Sequence, residues 1–179
     1  NKNNYLAASV RYGVRNNNNS QDNLLRQSFD TSGNLLSQEN RDTETVDESG
    51  NVDISLDFTH TYEKPQRELS FSTQYSRNNR NNDFLNTIYD GSNAVDSLIK
   101  NINNSVNQEI TAQFDYQTPV NTNQMLEFGG KNILRKVSSD YQYFGATGSD
   151  GNFIPVTNNA LAANIFNYDQ NVTATYLSY

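Results

Sequence analysis

Cysteine and tryptophan are absent from these 179 residues, which hold one histidine, one methionine and three prolines. Without cysteine there is no disulfide framework, thiolate metal site or cysteine nucleophile. A lone His60 leaves histidine-pair metal centres and conventional catalytic triads without their partners, so no enzyme activity is expected. No run approaches 18 apolar residues, which excludes helical membrane spans. Basic residues are few, 13 against 20 acidic for a net charge of −7, and they form no contiguous patch. Nucleic acid is therefore not an expected partner. Neither a phosphate-cradling glycine pattern nor an ordered D-x-[DN]-x-[DN]-G calcium loop occurs, so no cofactor or metal is expected. No leader-like segment opens the sequence, and the chain reads as a processed form or an excerpt of something longer.

Only 34% of the residues are hydrophobic, a proportion that in isolation suggests disorder. The 11% aromatic content argues otherwise, because Tyr and Phe recur at regular places inside alternating runs. Between Val52 and Tyr62 the chain reads Val-Asp-Ile-Ser-Leu-Asp-Phe-Thr-His-Thr-Tyr. Side chains alternate across a strand, so such a run has one greasy and one wet face. Six segments carry the pattern: 4–15, 51–62, 68–77, 108–117, 125–136 and 171–179. Their greasy positions are Leu6, Val10, Val52, Ile54, Leu56, Phe58, Leu69, Phe71, Ile110, Phe114, Leu126, Phe128, Val172 and Tyr176. In the last segment Leu177 and Tyr179 spoil the polar face. The expected fold is all-β, an antiparallel up-and-down meander of about six long strands in three tall hairpins.

Two connections are short, at 63–66 and around 119–123, with ordinary turn chemistry. The other three, 16–50, 78–107 and 138–170, are long excursions with turn signals at Gly33, Gly91 and Gly151. Folding the chain about residue 32, about Ser92–Asn93 and about Asp150, beside these glycines, pairs Val10 with Ile54, Thr73 with Ala112, and Phe128 with Val172. Each pairing puts greasy faces together, whereas a one-residue slip would oppose a greasy face to a wet one. Short turns at one end and tall excursions at the other are the asymmetry of bacterial outer-membrane barrels, and runs of about 9 to 11 residues suit a tilted membrane strand. On that reading these greasy residues face lipid. Asp53, Asp57, Glu109, Asp115 and Glu127 face a lumen with Arg11, Arg15, Lys131 and Arg135, where strand-tying ion pairs are the first expectation. Asparagine, roughly one residue in six, supplies polar loop shoulders.

Glu68-Leu-Ser-Phe-Ser-Thr-Gln-Tyr-Ser76, Asn107-Gln-Glu-Ile-Thr-Ala-Gln-Phe-Asp-Tyr116 and Leu126-Glu-Phe-Gly-Gly-Lys131 resemble consecutive barrel strands of TonB-dependent outer-membrane receptors. Ser139-Asp-Tyr-Gln-Tyr-Phe144 and Phe166-Asn-Tyr-Asp-Gln-Asn-Val-Thr-Ala-Thr-Tyr176 continue the likeness, which is to the outer-membrane β-barrel group typical of Bacteroidetes. The resemblance implies a barrel of roughly 22 strands around a plug domain, in the outer membrane of a Gram-negative cell. It also implies uptake of a scarce solute (siderophore, glycan or peptide) driven by the TonB complex through the plug. Residues 1–179 would then be a partial barrel segment, touching membrane lipid, the plug and the remainder of its own barrel. Solute contacts are expected at the hairpin tips near Gly33, Gly91 and Gly151. Two alternatives stay open: a soluble extracellular adhesin or glycan-binding module, whose greasy faces would pack on one another, and an outer-membrane barrel without TonB coupling.

Overall fold

In a computed structural model, which describes residues 3–156 and 164–179, every strand belongs to one antiparallel sheet. In chain order the strands are β1 (Asn4–Phe29), β2 (Leu35–Thr61), β3 (Glu68–Tyr89), β4 (Val95–Asn121), β5 (Gln124–Thr147), the two-residue β6 (Ile154–Pro155) and β7 (Asn164–Ser178). The first five pair with their sequence neighbours, and both β6 and β7 pair with β5.

The first two expected registers are observed, with Val10 opposite Ile54 and Thr73 opposite Ala112. Leu6, Phe58, Phe71, Phe114 and Gly130 accordingly fall in one cross-strand row. Alternation carries Asp57, Ser72, Gln113 and Lys131 to the opposite face, also in one row. The third register differs. Phe128 stands opposite Leu177, and Val172 stands opposite Ile133. The shift is five residues, an odd number, so it exchanges the two faces of β7. Val172 and Tyr176 therefore lie on the polar face, not with the lipid-facing set, while Leu177 joins the apolar face. The residues that seemed to spoil the polar face of this strand were marking its apolar side.

Among the described residues no second sheet covers the apolar face. Ile54, Phe71, Phe114 and Phe128 are 43%, 41%, 41% and 39% exposed, and Ile88 and Ala146 are the buried hydrophobic residues among those described. A soluble sandwich would have buried the four aromatic and aliphatic residues against one another. Values rise to 67% at Leu6 and 74% at Val10, because β1 is an edge strand with no neighbour on its far side. The apolar run of β2, 52–60, covers about 30 Å of strand. Tilted by about 40°, it spans close to the 25 Å of a membrane barrel's outer band.

The tall excursions are themselves strand. The ladders of β1 with β2 and of β3 with β4 stay antiparallel from the apolar band to the tips, stepping at 21–24 and 28–29 in the first and at 88–89 in the second, so 16–50 and 78–107 are hydrogen-bonded extensions with five-residue ends. Beyond Val52 the period-two alternation of β2 stops, and between Ser37 and Asn51 Val46 is the one large apolar side chain on either face. Cross-strand polar pairs hold these extensions. Arg80 forks onto Asp47 at 2.6 and 2.9 Å, Gln27 donates to Gln38 at 2.7 Å, and Ser139 donates to Asn103 at 2.7 Å. In the third excursion, 138–170, positions 157–163 lie outside the described residues; β5 runs to Thr147, and Val156 N–H donates to the Tyr143 carbonyl beside β6.

Candidate functional site: the polar face and the hairpin tips

The polar face is hollowed across β1 to β5 by a recess of about 490 Å³, lined by Arg11, Asp53, Asp57, Gln74, Gln113 and Lys131 among others. Strand alternation places these side chains, so the recess carries both charge signs within one cross-strand neighbourhood. Arg11 stands in register with Asp53, and Gln113 with Lys131. Of the expected pairs, Arg135 with Glu109 forms, at 2.6 and 2.8 Å, and Arg135 also donates to Gln170 on β7 at 3.2 Å. That arginine ties three adjacent strands together. Asp115 takes a different partner, accepting from the Tyr176 hydroxyl and from Gln113 Nε2, each at 2.8 Å.

Tyr176 explains why β7 sits as it does. Gly129 lies opposite it, and a side chain at 129 would meet the tyrosine ring and the Phe114 carbonyl, both at 2.6 Å. The bare glycine is the seat on which the ring lies, with the hydroxyl reaching one strand further to Asp115. Such aromatic cover of a strand glycine pins register. On the opposite face Asn132 Nδ2 donates to Asn171 Oδ1 at 2.8 Å and to Thr173 Oγ1 at 2.7 Å. The polar groups that the shifted register brings outward satisfy one another, as they must in an apolar surround.

The first two tips are the same device in different letters. Asp30 and Asp90 each donate their backbone N–H to the carbonyl of the residue four further on, and each carbonyl accepts from the N–H three further on. The Asp30 carboxylate accepts from Ser32 N–H, Asn34 N–H and Asn34 Nδ2, all at 2.8 Å. Asp90 Oδ1 accepts from Ser92 N–H at 2.8 Å, Ser92 Oγ at 2.7 Å and Ala94 N–H at 2.9 Å. Hydrogen bonds from Asn34, and from Ser92 and Ala94, hold both carboxyls below the ordinary aspartate range. The left-handed residue is Gly33 in one tip and Asn93 in the other, at φ 85° and 66°. The turn signal at Gly91 thus lay two residues from the position that needs it. The third tip is built on Gly148 and Gly151, at φ 68° and 67°, and Gly148 N–H donates to the Asp96 carbonyl of the neighbouring hairpin.

One residue missed by sequence reasoning organises the tall end of β1 to β3. Asp42 accepts from Asn23 N–H at 2.8 Å, across a bulge where Asn23 has φ 56°, and from the Tyr89 hydroxyl at 2.7 Å. These two donors lower its carboxyl, and the Tyr89 hydroxyl is raised in turn, first by that hydrogen bond. The Asp47 carboxyl is lowered chiefly by Arg80. The only sequence signal for these anchors was the crowd of acids between 42 and 53.

Comparison with curated protein sequences finds no match. Residues 60–179 match the model of the outer membrane protein beta-barrel family, which places the chain in the outer membrane, in contact with lipid. That match covers well over half of the sequence, and the chain belongs to the outer membrane protein beta-barrel family.

Proposed function

We propose that this chain is a wall segment of a TonB-dependent receptor, of the Bacteroidetes type its strands resemble, that takes up a scarce solute such as a siderophore, glycan or peptide. It acts by binding and conduction, without catalysis. The observation that carries the reading is the hollowed polar face, where Arg11, Lys131, Asp53 and Asp57 line one recess on the side opposite the apolar band. Mixed charge on a water-filled inner wall suits reversible contact with a plug domain or a polar solute, each pair exchanging partners at small net cost because both partners stay hydrated. The strand extensions beyond the membrane would form the walls of an outer vestibule above the plug. Partners on this reading are the remainder of its own barrel, the plug, and the TonB complex through the plug.

Uptake measurements test it. Cells with and without the protein are given labelled siderophore, glycan and peptide pools, before and after collapse of the proton-motive force. Protein-dependent accumulation of one pool that stops on collapse supports the reading. Protein-dependent entry that continues after collapse identifies a barrel without TonB coupling.

A further inference from the structure

The short connection between β2 and β3 carries a cluster that neither the wall nor the lumen uses. Arg67 lies with its guanidinium carbon 4.3 Å from the centre of the Tyr62 ring and 5.8 Å from that of Tyr116. Its Nε donates to the Tyr116 hydroxyl at 2.7 Å. His60 meets Tyr62 edge-on, with ring centres 4.4 Å apart. Tyr116 shares its row and face with Leu69 and Phe128, so the cluster crowns the apolar band at its short-turn rim. Among the described residues no carboxylate pairs with Arg67, and its two terminal nitrogens make no hydrogen bond. Lys64 stands in the same turn, donating to the Pro119 carbonyl and retaining two further donors. The nearby acids are Glu63, in the turn, and Glu68, which lines a pocket on the opposite face with Asp115 and Glu127.

We propose that Arg67 and Lys64 bind the phosphate of a phospholipid in the leaflet that meets the short turns, with the acyl chains lying along Leu69, Phe71, Phe114 and Phe128. A guanidinium fork matches phosphate oxygens with two parallel donors. Packing over the Tyr62 ring and the Nε–H hydrogen bond to the Tyr116 hydroxyl hold the fork at fixed height, so little side-chain freedom is lost on binding. The turn end of a barrel faces the inner leaflet, and the position of the cations at the edge of the apolar band is the depth of a headgroup phosphate. Tyrosine adds an apolar body with a polar tip, suited to that interface.

The test uses the detergent-purified protein and two probes, dioleoyl phosphatidylglycerol and dioleoylglycerol, which share acyl chains and differ in the phosphate-bearing headgroup. Native mass spectrometry reads the bound lipid. Wild-type protein is expected to hold the phospholipid at least about tenfold more tightly, and Lys64→Gln with Arg67→Gln to reduce that preference to within about twofold. Lys131→Gln, on the opposite face, leaves it unchanged. Lys64→Gln alone, in an exposed turn, is expected to lower the preference about threefold and serves if the double variant does not fold. Equal retention of the two lipids by the wild type, or an undiminished preference in the variants, overturns the proposal.

Discussion

At residue scale the most tightly enclosed glycine is Gly129. Tyr176 and Asp115 close over it, so any side chain there must displace an aromatic ring or a strand carbonyl. Gly129→Val is expected to cost about 1 to 3 kcal/mol, the usual range for overpacking, read as a lower midpoint for loss of the heat-resistant folded band. Tyr176→Phe keeps the ring on its seat and removes the hydroxyl from Asp115, so its effect is expected to be smaller than that of the glycine change. A larger loss from Tyr176→Phe would show that the hydrogen bond, rather than the seat, pins the strand. The tip aspartates give a pH test. Their carboxyls are lowered in the folded state, so their contribution is fully present above the unfolded value of about 3.9. It is lost as pH falls through the lower, folded one. Protection factors of the amides at 30–34 and 90–94, the intrinsic rate at each pH divided by the observed one, should therefore be flat between pH 8 and 5 and fall only in stronger acid. Asp30→Asn and Asp90→Asn should show fast exchange already at pH 7.

The strands show where alternation ceases to be a guide. Between Val52 and His60 the two faces meet different solvents, and the period-two pattern is plain in the sequence. Between Leu35 and Asn51 polar residues on both sides read as loop, although the antiparallel ladder with β1 runs through the stretch with a bulge on either side of 24–28. Asparagine, which favours turns in isolation, is held in extended geometry by the ladder hydrogen bonds and by pairs such as Thr43 Oγ1 to Asn86 Oδ1 at 2.8 Å. Backbone amides at 36–50 and 80–88 should consequently exchange slowly, at rates near those of 52–60. Exchange within minutes across these stretches would show that the extensions are loops. The turn-based registers of β1 to β4 were legible because their tips are symmetric five-residue devices. The register of β7 was not, because it depends on a contact between residues 47 positions apart, Gly129 and Tyr176, that no local pattern announces. For the same reason the strand-tying Arg135–Glu109 pair was readable from alternation, whereas the Asp42 anchor, which needs a bulge at Asn23, was not.

For the whole molecule, the division of solvents between the faces is the property on which both the membrane placement and the proposed lumen depend. Residues 1–179 hold no cysteine, so a single thiol introduced among them, read against the protein without it, reports its own site. In outer-membrane vesicles opened to reagent on both sides, Phe71→Cys and Phe114→Cys should resist a charged maleimide, because thiolate formation and reagent approach both require water. Ser72→Cys and Gln113→Cys, one residue away on the polar face, should label readily. The decisive pair lies in β7. If its pairing with β5 is as described, Val172→Cys labels like the lumen positions and Leu177→Cys is protected. The opposite result would restore the register in which Phe128 faces Val172, shift β7 by five residues, and remove Tyr176 from Gly129. It would also turn Asn171 and Thr173 inward, away from Asn132 and from lipid. One labelling experiment thus ties the seat at Gly129, the pairing of the last strand and the identity of the lipid-facing surface to the same outcome.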